Sequence, residues 1–378
     1  MKKLFDKTTL NGMALSNRSV RSATWEGMCE ADGRPTPKLA EYYRDLAAGG
    51  VGLIITGYTF VRPDGKQLPG KMGIHTDDFA ADMRSLVQAV HREGGKVCMQ
   101  LVHAGGQTTT KTAGRQPLAP SAVKVDQFPE EPSAMSKEDI AEIVAAFGNG
   151  AGRAKEYGFD AVQLHAAHGY LINQFLSPLT NRRTDTYGGS VENRCRFLLE
   201  VYRRVRSVVG PDFPVLAKLN GSDNLEGGLE SSDAAYAASM LDKEGIDAIE
   251  VSGGTSASGE RGPVRTKVDA PEKEAYNLAL AEEIGKAVRC PVIAVGGFRS
   301  LDVISGALGK EGVDYIAMSR PFIREPHLIK RWQQGDRSPA RCISCNGCFT
   351  PGIKEGGIYC VVEKRESQKK TGTPQQAK

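Results

Sequence analysis

The sequence predicts an α/β fold, a (β/α)8 barrel of the TIM type, with an N-terminal hairpin lid and a C-terminal Cys-rich extension. Three observations carry that prediction. Apolar runs of strand length alternate eight times with segments of helical periodicity, and eight is the number at which such units close into a ring. A joint of the form helix, Gly, apolar strand recurs, as in Lys155-Glu-Tyr-Gly158-Phe-Asp-Ala161 and Lys243-Glu-Gly-Ile-Asp-Ala248. Polar residues gather just past the strand runs, where barrels of this kind place their sites. An open doubly wound sheet is the rival, but it wants a Gly-x-Gly-x-x-Gly turn after an early strand, which this chain does not show.

The elements follow in order. Residues 4–19 hold short apolar pieces around Asn11-Gly12, a hairpin signal. Strand runs are expected at Val20–Thr24, Gly52–Tyr58, Lys96–His103, Ala161–Ala167, Val215–Gly221, Ala248–Gly253, Val292–Gly297 and Tyr315–Arg320. Helices are expected at Pro37–Ala48, Asp77–Glu93, Lys137–Tyr157, Val191–Val209, Ser231–Lys243, Glu272–Val288, Leu301–Leu308 and Pro326–Gln334. The long, polar stretch 104–135 reads as an active-site loop. The barrel is assigned to residues 1–335 and the Cys-rich extension to 336–364. The Lys-, Gln- and Thr-rich tail 365–378 is expected to be disordered.

Composition excludes several classes. A net charge of +4 over 378 residues is too small to argue for nucleic acid. The first residues, Met1-Lys-Lys-Leu-Phe-Asp-Lys7, lack a secretory apolar core, and no apolar run is long enough for a membrane span. The 43 Gly exceed the usual share of about 7%, and many follow strands, where they let backbone approach a ligand. Four of the eight Cys are scattered. Cys342, Cys345, Cys348 and Cys360 cluster, which suits metal or cluster ligation in a cytoplasmic protein better than disulfides.

The strand ends carry the chemistry. The fourth delivers His165, His168 and Tyr170 within six positions, two of the chain's six His among them. A lone His in such a place is more often a satisfied loop residue. Two imidazoles and a phenol together offer hydrogen-bond donors and a proton source. The third run carries Gln100, the fifth Lys218, and the sixth ends Ser252-Gly253. The seventh and eighth end in Gly296-Gly297 and Ser319-Arg320, the pattern of a phosphate corner built from glycine amides and a cation.

The segment from His165-Ala-Ala-His-Gly-Tyr170 through Asn181-Arg-Arg-Thr-Asp-Thr-Tyr-Gly-Gly-Ser-Val-Glu-Asn-Arg194 resembles the signature of the Old Yellow Enzyme family of FMN oxidoreductases. Asn17-Arg18, Arg21-Ser-Ala-Thr24, Gln100-Leu-Val-His-Ala-Gly105, Val295-Gly-Gly-Phe298 and Ser319-Arg-Pro-Phe322 match further blocks of that family in the same order, over residues 1–335. The resemblance implies FMN across the mouth of the barrel. Gln100 would bond its pyrimidine ring, Ser22, Ala23 and Thr24 would lie along the ring edge, and Lys218 would face the N1/C2-carbonyl end. Gly296, Gly297, Ser319 and Arg320 would hold the phosphate, with Tyr58 and Gly253 beside the cofactor. His165 and His168 would grip the carbonyl oxygen of an α,β-unsaturated substrate, a small ketone, acid or thioester, and Tyr170 would protonate its α-carbon. NAD(P)H or an electron-donor protein would supply electrons. Family members range from monomers to larger homo-oligomers.

Three positions depart from the family pattern. Trp25 stands where relatives often carry Cys or Thr, Lys218 where many have Arg, and Tyr58 where a small residue is common. The tail resembles the subgroup that includes 2,4-dienoyl-CoA reductase and trimethylamine dehydrogenase, which adds an iron–sulfur cluster. Its spacing here is Cys342-x2-Cys345-x2-Cys348-x11-Cys360, with two residues where those relatives usually have three. A [4Fe–4S] cluster is favoured, and structural zinc is the rival. The chain is expected to end before a dinucleotide-binding domain, so a cluster would draw electrons from a separate partner. The favoured activity is an ene-reductase; an amine dehydrogenase and a flavin/iron–sulfur electron-transfer protein are the alternatives.

Overall fold

A computed structural model describes residues 2–371. Eight parallel strands form the barrel: β1 (Ser19–Arg21), β2 (Leu53–Ile55), β3 (Val97–Val102), β4 (Ala161–Ala166), β5 (Val215–Asn220), β6 (Ala248–Ser252), β7 (Val292–Val295) and β8 (Tyr315–Met318). Each pairs with the next, and β8 pairs with β1, so the ring is closed. Seven of the eight strands lie wholly inside an expected apolar run, and β1 starts one residue ahead of its own, at Ser19. These runs are nearly continuous in Val, Ile, Leu and Ala because both faces are covered, one by helices and one by the barrel interior.

The helices lie outside the ring: α1 (Pro37–Ala48), α2 (Ala80–Arg92), α3 (Lys137–Glu156), α4 (Val191–Val209), α5 (Ser231–Glu244), α6 (Leu278–Ala287), α7 (Leu301–Leu308) and α8 (Leu328–Gln333). Local chemistry sets their starts. The Thr36 hydroxyl accepts from the Leu39 amide ahead of Pro37. Ser136 and Asp139 form a reciprocal capping box on α3. The sixth helix is shorter than its periodicity suggests. Its first turn is diverted because the Glu274 carboxylate accepts from the Arg299 and Ser300 amides and the Ser300 hydroxyl, at 2.7, 2.9 and 2.6 Å. That contact caps α7 and leaves Tyr276 free to pack on Gly296 and Gly297.

The N-terminal hairpin pairs Thr8–Leu10 with Met13–Leu15 through Asn11 and Gly12, both at positive φ, as a two-residue turn of this hand requires. Its position shows which end of the barrel the expected lid covers. Leu10, Met13 and Leu15 pack with Val20, Leu53, Cys98, Ala161, Leu216 and Ala248, residues at the starts of the strands. The hairpin therefore plugs the floor of the barrel, opposite the strand ends that carry the polar residues. The 104–135 stretch holds a short helix, Thr110–Ala113, and a small ribbon of Leu118–Ala119 with Ser133–Ala134. Part of the expected disordered tail is ordered as well: a helix runs over Val361–Thr371, built from good helix formers and pinned by a Glu366–Arg324 ion pair. The remainder of that expectation, 372–378, lies outside the described residues.

Truncating the plug should be costly. Leu10 is almost fully buried, so Leu10→Ala is expected to lower stability by about 2–5 kcal/mol, read as a shift in the urea midpoint. A shift worth well under 1 kcal/mol would show that the hairpin does not close the floor.

Candidate active site

The strand ends open into a cleft of about 1040 Å³, its open mouth included. Beneath it lies a continuous chain of buried polar side chains. The Lys218 ammonium donates to Ser22 Oγ at 2.8 Å and to Glu250 Oε1 at 3.1 Å. Ser22 Oγ donates to the same carboxylate oxygen at 2.6 Å. Gln163 Nε2 donates to Glu250 Oε2 at 2.9 Å, and Gln100 Nε2 donates to Gln163 Oε1 at 2.8 Å. All five side chains are buried. Register brings them together: His165 sits beside Lys218, Lys218 beside Glu250, and Gln163 beside both Gln100 and Leu216.

The direction of this chain is determined. A carboxylate only accepts, so Gln163 must turn its amide NH2 to Glu250 and its oxygen to Gln100. Gln100 must then give its NH2 to Gln163, which leaves its carbonyl oxygen for the cleft it lines. The floor thus offers an acceptor at Gln100 and a cation at Lys218.

His165, His168 and Tyr170 form the wall, with ring centroids of His165 5.0 Å from His168 and 4.8 Å from Tyr170. The Ala167 amide donates to His165 Nδ1 at 3.3 Å, so Nε2 carries the proton of the neutral ring. His168 takes a left-handed backbone, φ +61°, secured by a bond from its amide to Asn220 Oδ1. Its Nε2 lies 2.7 Å from Ser252 Oγ. Burial, and then the neighbouring His168, Lys218 and Lys71, hold His165 well below the usual imidazole range; burial and Lys218 do the same for His168. Both rings are neutral donors at neutral pH. Burial also raises the Tyr170 phenol, whose hydroxyl donates to Gln67 Oε1 at 2.9 Å. Tyr58 meets the Tyr170 ring edge-on at 5.0 Å and donates its hydroxyl to the Gly65 carbonyl.

The opposite side is built from β1, β7 and β8. Ser22, Ala23, Thr24, Gly297, Ser319 and Arg320 all line the cleft. The Thr24 and Ser319 hydroxyls are 2.5 Å apart, which ties the ends of β1 and β8. Gly297 needs to be Gly: at φ +75° its Cβ would stand 2.8 Å from the Tyr276 ring. Arg299 joins Arg320 there, its guanidinium held by the Val268 and Ala340 carbonyls at 2.7 and 3.0 Å. Gly253 and Gly296 are not among the lining residues; their open sides face Asn277, with Asn224 beside Gly253 and Tyr276 beside Gly296. Trp25 lines the cleft with its indole Nε1 unpartnered among the described residues, and its ring stands 3.0 Å from where a Cβ on Gly352 would be.

The four clustered cysteines line one smaller void, of about 340 Å³. Cys348 is buried and Cys345 exposed. Amide and guanidinium groups already point at sulfur: Ser344 N donates to Cys342 Sγ at 3.5 Å and Arg324 to Cys360 Sγ at 3.4 Å. Among the described residues, no three His, Cys, Asp or Glu are arranged to hold a single ion. Arg320 borders both spaces, and its guanidinium donates to Asn346 Oδ1 at 2.6 Å, between Cys345 and Cys348. Ser344 and Phe349 of the same segment line the larger cleft.

Gln163, Glu250, Lys71 and Arg299 are the members sequence reading missed. The first two had a signal: each is a polar residue flanked by apolar ones inside a strand buried on both faces, Val162-Gln163-Leu164 and Ile249-Glu250-Val251. Lys71 had none, since it sits in an irregular segment.

Residues 3–338 match the NADH:flavin oxidoreductase / NADH oxidase family, and the chain belongs to it. The chain is 37% identical to an NADH oxidase of Thermoanaerobacter brockii over 386 residues, covering 97% of this chain and 58% of that one. It is 38% identical to an NADPH dehydrogenase of Halalkalibacterium halodurans, covering 86% and 92%. A solved 2-naphthoyl-CoA reductase bound to 2-naphthoyl-CoA superposes with a TM-score of 0.87 at 28% identity, covering 95% and 56%. The chain therefore spans little more than half of the first and third of these relatives. Among the described residues no helix is long and apolar enough to cross a membrane.

The two neutral imidazoles set a pH dependence. Unfolded, each His titrates near pH 6.5; folded, each resists protonation. Between the folded pKa and about 6.5 the unfolded chain therefore binds protons that the native site refuses, and stability rises with pH. Thermal unfolding should show wild type losing more stability than the His165→Asn/His168→Asn variant as pH falls from about 7 to 5. Parallel curves would contradict the assignment.

Proposed function

We propose that this member of the NADH:flavin oxidoreductase family is an FMN-dependent NAD(P)H oxidoreductase of the ene-reductase type, reducing the activated C=C of an α,β-unsaturated carbonyl compound. The observation that carries the reading is the opposition of two surfaces in one cleft. A floor presents the Gln100 oxygen and the Lys218 ammonium, and a wall presents two neutral imidazoles and a phenol. FMN bound on that floor would supply the hydride chemistry, which no side chain here can.

The residues fit that cofactor. The Gln100 oxygen is an acceptor for the imide N–H of the flavin pyrimidine. Lys218 places positive charge where a reduced flavin gathers negative charge. Ser22, Ala23 and Thr24 border the same floor. Gly297, Ser319, Arg299 and Arg320 offer backbone amides, a hydroxyl and two cations to the phosphate, with Arg320 already oriented by the Arg265 carbonyl at 2.7 Å. Gly253 and Gly296 support that corner from behind.

The wall residues have separate tasks. His165 presents Nε2–H to the cleft. With Ser252 Oγ–H donating to Nε2 of His168, that ring presents Nδ1–H beside it. Two donors converging on one carbonyl oxygen draw electron density from the alkene and stabilise the enolate that forms. Tyr170 keeps its proton through the neutral range and stands next to the pair, placed to protonate the α-carbon. Trp25 and Tyr58 narrow the space left for substrate.

The same reading assigns a [4Fe–4S] cluster to Cys342, Cys345, Cys348 and Cys360. Four thiols around one void, with N–H groups aimed at two of the sulfurs, suit a multi-atom cluster better than a single zinc ion, which needs its ligands to meet at one point. Arg320, shared between the two spaces, gives a partner-supplied electron a short route toward the cleft. A cytoplasmic setting keeps such thiols reduced.

Three measurements test the assignment. Phenolic ligands should bind and shift the flavin absorption, and His165→Ala/His168→Ala should abolish both that shift and enone reduction. Tyr170→Phe should slow alkene turnover by roughly 10²-fold or more, with the loss confined to the step that consumes the alkene. An active double variant would overturn the carbonyl grip. Protein purified without air should contain iron and FMN; zinc without iron would remove the cluster.

A further inference from the structure

Lys71 is the one ammonium on the wall of the cleft, and the roles assigned so far make no use of it. It is 4% exposed, yet no hydrogen bond or ion pair reaches its Nζ among the described residues. Its contacts are aromatic. Nζ lies 3.8 Å from the centroid of the Tyr58 ring and 5.9 Å from that of Tyr170. The carboxylate whose charge Lys71 feels, Glu26, is engaged elsewhere through Oε1, which pairs with Arg21 at 2.7 Å and accepts from the Tyr43 hydroxyl at 2.6 Å and the Gly57 amide at 3.1 Å. The charge of Lys71 is felt by His165.

The backbone fixes this placement. Gly70 takes φ +68° and lies against Gly27, where a Cβ would meet backbone at 3.0 Å, and its carbonyl accepts from the Cys29 amide. The two chain segments approach to that distance because Gly70 carries no side chain there. Lys71 is thereby directed inward beneath the aromatic rings instead of out to solvent.

A buried ammonium with no partner is expensive, and burial draws Lys71 down to about 7. Such a group is either a defect or one half of a pair whose other half arrives with a ligand. Two aromatic faces hold it meanwhile, short of a full counter-ion.

We propose that Lys71 is a specificity-determining residue that makes this cleft take a substrate bearing a carboxylate, in preference to the neutral carbonyl compound of the same skeleton. The inference rests on the carbonyl-grip reading of His165 and His168. A carboxylate has two oxygens in one plane, and the imidazole donors and the Lys71 ammonium lie on adjoining parts of one wall. One oxygen takes the imidazole donors and the other the cation. A phosphate fits less well, because its additional charge and third oxygen would face the Tyr58 and Tyr170 rings. The cation also answers a chemical need: an unsaturated acid resists electron-rich attack more than an enone does, since its activating group is already negative.

The test is calorimetric titration of the flavin-loaded protein at slightly acid pH with three redox-inert probes: benzoate, its neutral counterpart benzamide, and phenol. Wild type is expected to bind benzoate at least about tenfold more tightly than benzamide, a difference of about 1.4 kcal/mol. In Lys71→Met, which keeps the length and apolar stem, that ratio should collapse toward one. If phenol binds but benzoate shows no preference over benzamide, or the preference survives in Lys71→Met, the role of Lys71 is overturned while the carbonyl grip stands. If wild type binds none of the three, the reading of the cleft itself fails.

Discussion

A carboxylate and an ammonium held together inside the barrel set the terms for the whole site. Glu250 and Lys218 are both essentially inaccessible to water, 3.1 Å apart, and share the Ser22 hydroxyl. Removing each from water costs several kcal/mol, and their attraction only roughly repays it. A pair of apolar residues would serve stability as well. Breaking the pair from one side would cost about 3–5 kcal/mol, because the survivor stays buried and charged. The pair is therefore better understood through what it orients. Glu250 fixes Gln163, Gln163 fixes Gln100, and the final free atom of the series is one acceptor oxygen at the base of the cleft.

The His165/His168 wall depends on the same charges. Lys218 and Lys71 both press against protonation of His165, and burial acts in the same direction. The imidazoles remain neutral donors, which in the proposed reaction polarise a carbonyl without surrendering a proton. In that proposal the proton is left to Tyr170. The division between donors that hold and a donor that transfers comes from the environment more than from residue type, since imidazole in water would titrate close to neutrality. On the far side, Arg320 joins the cleft to the cysteine void through Asn346, so the Cys-rich segment contributes to the wall of the larger site through Ser344 and Phe349.

Much of this was legible in the sequence because the barrel repeats one simple rule eight times. Apolar runs buried on both faces stand out, and all eight strands fell on them, β1 beginning one residue early. The wall was equally readable, because His165, His168 and Tyr170 occur together just past a strand. Contacts between distant segments were not readable. The sixth helix began late because Glu274 caps a neighbouring helix from a distance, which no local periodicity contains. The hairpin was seen, yet nothing in its sequence said which end of the barrel it closes. Lys71 depends on a Gly70–Gly27 approach between residues more than forty positions apart, and only the folded chain displays it.

The most direct test of the account is the reduction potential of the bound flavin in two variants of the interior pair. If Glu250 and Lys218 set the field at the floor of the cleft, Glu250→Gln leaves the ammonium less compensated and moves the potential upward. Lys218→Met removes the cation and moves it downward. Opposite shifts of this kind are the predicted result. A potential unchanged in both variants would contradict the account, because the flavin would then lie beyond the reach of the charges assigned to hold it.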